Sequence, residues 1–317
     1  MIKILFIGGT KYIGRQLIDI FITCPDISLH VASRHKPDFL INCNWRYCDH
    51  NNVDDLECLV REATYFDIVI DYACYNYKQA MIACRVFNGK IGHYIFISSQ
   101  AVYPSGKNHR EDRFDPYNQR LEDLMYEFQF YPYHQYSIGK RAAECVFYQH
   151  ATYAVTAVRF PIVLDSADKR LIKFIENISR NREISCQSRK SEVSLISLNE
   201  TISFLQQLIS ILPGYPINAS SNGSINMLTV KQILQSQIGL IFLNQISDSH
   251  LCQHPYSVHT NWERDPKFCF LDVTESWTIS NSYAKSLGFQ FKSVNNWFKA
   301  TIDEILNKGI SCEDIHV

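Results

Sequence analysis

"YSIGKRAAE", residues 136 to 144, sets a tyrosine and a lysine four positions apart. In a helical pattern that spacing puts Tyr136 and Lys140 on one face, about one turn apart. A phenol with a pKa near 10 is a poor base at neutral pH, and a nearby ammonium stabilises its phenolate and lowers that value. Tyr136 is then suited to exchange a proton with a substrate hydroxyl or carbonyl while hydride moves to or from a nicotinamide. Tyr-x-x-x-Lys alone is common by chance. Support comes from "YIFISSQAVY", residues 94 to 103, an apolar strand pattern that ends in Ser98 and Ser99, where a carboxyl-end hydroxyl faces a cofactor crevice.

The second stretch with chemistry is "FIGGTKYIG", residues 6 to 14, at the end of the apolar run Ile2 to Ile7. In a dinucleotide-binding turn the first glycine makes the tight turn, the second admits pyrophosphate close to the backbone, and the third lets helix and strand pack closely. Gly8 and Gly14 supply the first and third roles, and Lys11 stands in the middle place. Its ammonium is a charge-assisted substitute able to reach phosphates or the adenosine ribose. Gly8, Gly9, Thr10, Lys11, Tyr12, Ile13 and Gly14 are therefore cofactor-binding candidates.

The next strand, "ISLHVAS", ends at Ser33 and is followed by Arg34, His35 and Lys36, with none of the acid that grips a ribose 2'-hydroxyl. A small hydroxyl beside a guanidinium suits a 2'-phosphate, so NADP(H) is expected over NAD(H); a merely solvated basic turn is the plainer reading. Asp49 in "RYCDH" reads as an adenine contact or as a simple strand-end acid or N-cap.

These residues need a scaffold. Short apolar β-type runs at Ile2 to Ile7, Ser28 to Ala32, Trp45 to Tyr47, Asp67 to Tyr72 and Tyr94 to Ile97 alternate with helical patterns opening near Tyr12 and spanning Asp54 to Glu62 and Lys78 to Phe87. "RLEDLMYEF" and "YSIGKRAAECVFYQHA" read as helices and "AVTAVRFPIV" as a sixth strand. The expected fold is α/β, a doubly wound parallel sheet of the Rossmann type. Residues 166 to 189 read as polar and loop-like; "SLNETISFLQQLISIL", "TVKQILQSQI" and "VNNWFKATIDEIL" read as helices and "YPINAS" as a short strand. The expected division is a dinucleotide-binding domain over 1–165, rejoined by 190–222, and a smaller, partly interleaved substrate lobe over 166–189 and 223–317.

With these motifs in place the chain resembles the extended or atypical short-chain dehydrogenase/reductase superfamily, the NAD(P)-dependent epimerase/dehydratase group. The resemblance runs through "FIGGTKYIG", "VIDYACY", "FISSQAVY", "YSIGKRAAE", "VRFPIV", "LISLNET" and "NSYAKSLGF". It implies Ser99 as the residue that orients the reacting oxygen, Tyr136 as acid/base, and Lys140 as the group that holds the nicotinamide ribose and tunes Tyr136. It also implies cofactor contacts at Tyr72, Ala73, Ser98, Phe160 and Ile162. The basic residue in the glycine turn is similar to the "GGTRFIG" subgroup, which includes chloroplast stem-loop-binding proteins. Gln100 and Ala101 occupy positions where the family's dehydratases and decarboxylases carry an acid, which leaves carbonyl reduction, alcohol oxidation or epimerisation on a sugar-like or other hydroxylated small molecule. The family's Asn for a nucleotide diphosphate is replaced in the stretch Ile162, Leu164, Asp165 and Ser166 after Arg159, against a nucleotide-sugar substrate. A homodimer through the "YSIGKRAAE" helix is a form common in the superfamily.

Composition bounds the alternatives. The 317 residues carry a net charge of -1, which gives no electrostatic footprint for nucleic acid. The rival reading, a protein that senses a dinucleotide or binds RNA on the same fold without catalysis, calls for a basic surface and loss of Ser99, Tyr136 and Lys140. Eleven scattered cysteines without a secretory leader read as reduced cytosolic thiols, and no run approaches the ~18 apolar residues that span a bilayer. His250, Cys252, His254 and His259 are ligand types at close spacing, but without a second paired cluster no metal is expected. The segment between Tyr103 and Tyr136 is long enough to line or cover the site. Trp262, Trp277 and Trp297 are expected to pack the C-terminal lobe.

Overall fold

The structure, a computed structural model, describes residues 1–40, 43–130, 134–179, 184–186, 188–238, 246–248, 269 and 271–308. In the first part β1 (Ile2–Ile7), α1 (Tyr12–Ile22), β2 (Ile27–Ser33), β3 (Asn44–Tyr47), α2 (Val53–Ala63), β4 (Phe66–Asp71), α3 (Tyr77–Val86) and β5 (Ile91–Ile97) alternate. There follow β6 (Gly106–His109), α4 (Leu121–Phe130), α5 (Gln135–His150), β7 (Ala154–Arg159), β8 (Ile162–Leu164), α6 (Lys169–Ser179), β9 (Ile184–Cys186) and β10 (Leu195–Ser197). The chain continues through α7 (Leu198–Ile211), β11 (Ile217–Asn218), α8 (Met227–Ile238), β12 (Ile246–Asp248), β13 (Trp277–Ile279), α9 (Ser282–Ser286) and α10 (Val294–Asn307).

Seven strands form one parallel sheet in the order β11, β7, β5, β4, β1, β2, β3. Parallel strands covered on both faces are apolar throughout, and β1 shows why. Ile4 and Phe6 enter one core with Leu17 of α1 and Leu205 of α7, while Leu5 and Ile7 enter the other with Leu56 of α2, Ala80 of α3 and Val146 of α5. The strand order reverses between β1 and β4, so their carboxyl ends flank the crevice where such sheets take ligands. Among the described residues no helix is long and apolar enough to cross a membrane.

Two expectations need correction. The sixth strand is not continuous: β7 ends at Arg159, and beyond Phe160 and Pro161 the chain leaves the main sheet as β8 and pairs with β10. A proline has no N–H for a central ladder, and this one marks the departure. Nor is the 166–189 stretch all loop. Asp168 accepts from the backbone N–H of Arg170 and Leu171 at 2.9 and 3.2 Å and starts α6, whose Leu171, Phe174, Ile175 and Ile178 are buried in the C-terminal core. Their helical spacing carries the signal that the polar composition hides. Trp297 enters that core and donates from Nε1 to Ser221 Oγ at 2.9 Å. Trp277 lies in β13, paired with β6, and Trp262 lies outside the described residues.

Candidate functional site

The glycine turn leaves β1 with Gly8 and Gly9 at φ 71° and 65°, a region that L side chains rarely adopt. A Cβ on Gly9 would lie 2.5 Å from the Tyr72 ring, and one on Gly14 would lie 2.1 Å from the Gly9 carbonyl oxygen. Lys11 precedes α1 in an extended conformation, φ -129° and ψ 158°, that any residue adopts, so the backbone requires no glycine there. Its side chain is exposed and makes no cap, and α1 has no acid in its first turn, which leaves the positive helix end to an anion. Gly14→Ala is expected to force α1 off the turn, costing about 1–3 kcal/mol as overpacking does; unchanged stability in urea would refute the close-packing role.

A cavity of about 640 Å³ opens at the carboxyl ends of β1 to β4, within the size range of small-ligand sites. Gly8, Gly9, Thr10, Lys11, Ser33, Arg34, Asp49, Tyr72 and Ala73 all line it. Tyr12, Ile13 and Gly14 do not: Gly14 is the packing glycine, Ile13 joins the core, and the Tyr12 hydroxyl reaches away to Asp165 Oδ1 at 3.3 Å. Ser33 presents no free proton, because its hydroxyl donates to the His35 carbonyl at 2.8 Å and accepts from Trp45 Nε1 at 2.9 Å. Asp49 caps its own turn, accepting from the backbone and side-chain amides of Asn51 at 3.0 and 2.9 Å, and these bonds, with the Arg34 charge, hold its carboxyl below the usual range.

Sequence reasoning missed His50, Asn51, Tyr75 and Gln79 in the same wall. His50 is 4% exposed and its Nε2 donates to Asp71 Oδ2 at 2.7 Å. Asp71 is fully buried, yet it also accepts from the Tyr94 hydroxyl and from the backbone N–H of Ala73 and Cys74 at 2.6 and 3.1 Å. Burial opposes its ionisation, and the His50 charge and these donors overcome it, so the carboxyl lies below its ordinary value. Burial likewise opposes the His50 charge, and Asp71 overcomes it, raising the imidazole pKa. His50, Asp71 and Cys74 are the one close trio of metal-ligand types among the described residues, but the Asp71 oxygens already hold four donors and the trio reads as a hydrogen-bond hub. Strand-end polar residues in "RYCDH" and "VIDYACY" were the available signal.

Beyond Tyr75 stands the Ser99, Tyr136 and Lys140 cluster, none of which lines the cavity itself. A Cβ on Gly139 would lie 2.3 Å from the Tyr75 carbonyl, so this glycine lets α5 close on the turn after β4. Lys140, 2% exposed, donates from Nζ to the carbonyls of Cys74 and Ile97, both at 2.8 Å. It lies 4.6 Å from the Tyr75 ring centroid and 6.0 Å from that of Tyr136, and burial lowers its pKa. Tyr136 is 41% exposed, but enclosure around its hydroxyl raises its pKa, opposed by a hydrogen bond with the Ser99 hydroxyl. Burial sets the direction at Tyr136, and the Lys140 ammonium faces two carbonyls.

Three further cofactor candidates have protein partners of their own. Ser98 donates to Glu144 Oε1 at 2.5 Å, Phe160 packs edge-on against Phe204, and Ile162 packs against the C-terminal core. The insertion after Tyr103 lines a second cavity of about 390 Å³, with Phe114, Tyr117, Tyr215 and Tyr283 in its wall, and none of its described residues lines the first. His250, Cys252, His254 and His259 lie outside the described residues.

No family model and no curated protein matches the sequence. Solved structures do match over nearly the whole chain. UDP-glucose 4-epimerase from Thermotoga maritima, solved with UDP-glucose, is 14% identical with a TM-score of 0.67, over 97% of this chain and 99% of that one. UDP-glucuronic acid 4-epimerase from Bacillus cereus, in complex with UDP-glucuronic acid and NAD, is 12% identical with a TM-score of 0.68, over 97% and 99%. dTDP-glucose 4,6-dehydratase from Bacillus anthracis, in complex with NAD, is 12% identical with a TM-score of 0.68, over 98% of each chain. The chain therefore has the Rossmann-like α/β fold of the extended short-chain dehydrogenase/reductase epimerases and dehydratases, with a seven-stranded parallel sheet and a smaller C-terminal region.

Proposed function

We propose that the protein is a dinucleotide-dependent oxidoreductase or epimerase that works at a hydroxyl or carbonyl carbon of a sugar-like or other hydroxylated small molecule. The observation that carries this reading is the Tyr136 hydroxyl, placed near the Ser99 hydroxyl and one helical turn from Lys140, beside a cavity with the glycine cradle a pyrophosphate needs. The fit is supported by Gly8 and Gly9, whose positive φ bends the backbone along the cavity wall without side chains, and by Lys11 and Arg34 in that wall. A bound nicotinamide dinucleotide would supply hydride transfer. Ser99 orients the reacting oxygen, Tyr136 gives or takes its proton, and Lys140 holds the ribose side of the site. Gln100, 2% exposed, offers an amide where elimination of water needs an acid, and this supports reduction, oxidation or epimerisation over dehydration. Residues 166–189 and 223–317 are the proposed substrate lobe, and the cytosol the proposed compartment.

The preferred cofactor in this reading is NADP(H), because the end of β2 offers Arg34 and no carboxylate. Parallel fluorescence titrations with NADPH and NADH test both levels of the reading. Tighter NADPH binding, reduced about tenfold by Arg34→Ala at about 1.4 kcal/mol for the lost phosphate contact, is the expected result. Equal binding of the two, or an unchanged preference in Arg34→Ala, would overturn the NADP assignment, and no binding of either would overturn the dinucleotide reading.

A further inference from the structure

His50 connects the two ends of the cavity wall. Its Nε2 bond to Asp71 ties the loop after β3 to the end of β4, and Asp71 in turn receives the backbone N–H groups of Ala73 and Cys74. The carbonyl of Cys74 accepts from Lys140 Nζ at 2.8 Å. A second strut runs alongside: Gln79 donates to Asn51 Oδ1 at 3.1 Å and accepts from the Tyr75 N–H at 2.7 Å, and the Tyr75 ring lies against Lys140. The loop that holds Asp49 and His50 is therefore braced twice against the turn that fixes the lysine.

We propose that His50 is a positioning residue for Lys140, acting through Asp71 and the Cys74 carbonyl. Without His50, Asp71 loses a charged donor in a fully buried place, where an unsatisfied carboxylate oxygen cannot turn to water. The carboxylate then draws on its remaining donors, the 72–75 turn shifts, and the Cys74 carbonyl no longer marks one position for the ammonium. The Gln79 strut remains, so the turn loosens without being lost. The inference rests on the dinucleotide reading above.

The test compares two ligands on the full chain. ADP carries the adenosine and pyrophosphate but lacks the nicotinamide and its ribose, which would lie on the Lys140 side; NADPH or NADH, whichever binds the unaltered protein, carries both ends. His50→Leu is expected to weaken the dinucleotide about tenfold more than ADP, a coupling of ordinary size. His50→Gln, which keeps an N–H donor toward Asp71, is expected to restore most of the difference. If His50→Leu does not fold, His50→Asn, whose shorter amide cannot span to Asp71, takes its place. Equal weakening of both ligands, or of neither, would overturn the positioning role while leaving the dinucleotide reading intact. Failure of the unaltered protein to bind either ligand would overturn that reading and the inference with it.

Discussion

Tyr136→Phe is expected to cut turnover about 10²–10⁴-fold, the usual contribution of a positioned acid or base, while dinucleotide affinity stays within about twofold. The change removes one hydroxyl and leaves the ring, so packing against Tyr75 persists. The sign of the pH dependence follows from the same hydroxyl. Enclosure raises its pKa above the ordinary phenol value, against the opposing bond to Ser99, so at neutral pH Tyr136 holds its proton and serves as an acid. Reduction of a carbonyl is then supported at neutral pH and lost as Tyr136 ionises. Alcohol oxidation needs the phenolate and rises with pH. The Phe variant is expected to lose both limbs of that profile. Steady-state rates in the two directions from neutral to alkaline pH measure it, and near-normal turnover in the variant would remove Tyr136 from the chemistry.

Local signals made the cavity legible and hid its supports. The glycine turn, Lys11 and the Tyr136 to Lys140 spacing lie within single stretches of chain, where one strand-to-helix turn or one helical turn fixes the geometry. Even Lys11 yields to a local account, since an extended backbone at that position accepts any side chain. By contrast, what restrains Lys140 is set by partners distant in sequence: Cys74, Ile97 and Tyr75 come from other elements, and their carbonyls and ring decide where the ammonium points. The same holds for His50 and Asp71, 21 residues apart in sequence and joined only because β3 and β4 end at one crevice. Ser98 illustrates the converse. Its place beside Ser99 suggested a cofactor-facing hydroxyl; the chain is past β5 there, and what its Oγ meets is Glu144 from α5, 46 residues on.

Glu144→Gln is expected to cost about 3–5 kcal/mol of folding stability, the range for breaking a buried ion pair by removing one partner. Arg159 and Glu144 are both fully buried, with Nη2 2.6 Å from Oε2 and Nε 3.1 and 3.2 Å from the two carboxylate oxygens. The arginine also donates to the Tyr103 hydroxyl and to the carbonyls of Glu111 and Phe114. That pattern distinguishes it from an isolated pair. A buried pair can often be exchanged for apolar residues of like volume without loss, but here the exchange would leave two backbone carbonyls and the Tyr103 hydroxyl short of a donor, each at about 1–3 kcal/mol when buried. The Glu144→Leu, Arg159→Met double variant is therefore expected to be less stable than the unaltered chain, not equal to it. The attachment of the 104–116 segment beside the second cavity should loosen in both variants. Equilibrium unfolding in urea reads the stability, and hydrogen exchange at residues 110–116 reads the attachment. A loss under about 1 kcal/mol in Glu144→Gln, or a double variant as stable as the parent, would show that Arg159 does not anchor this segment.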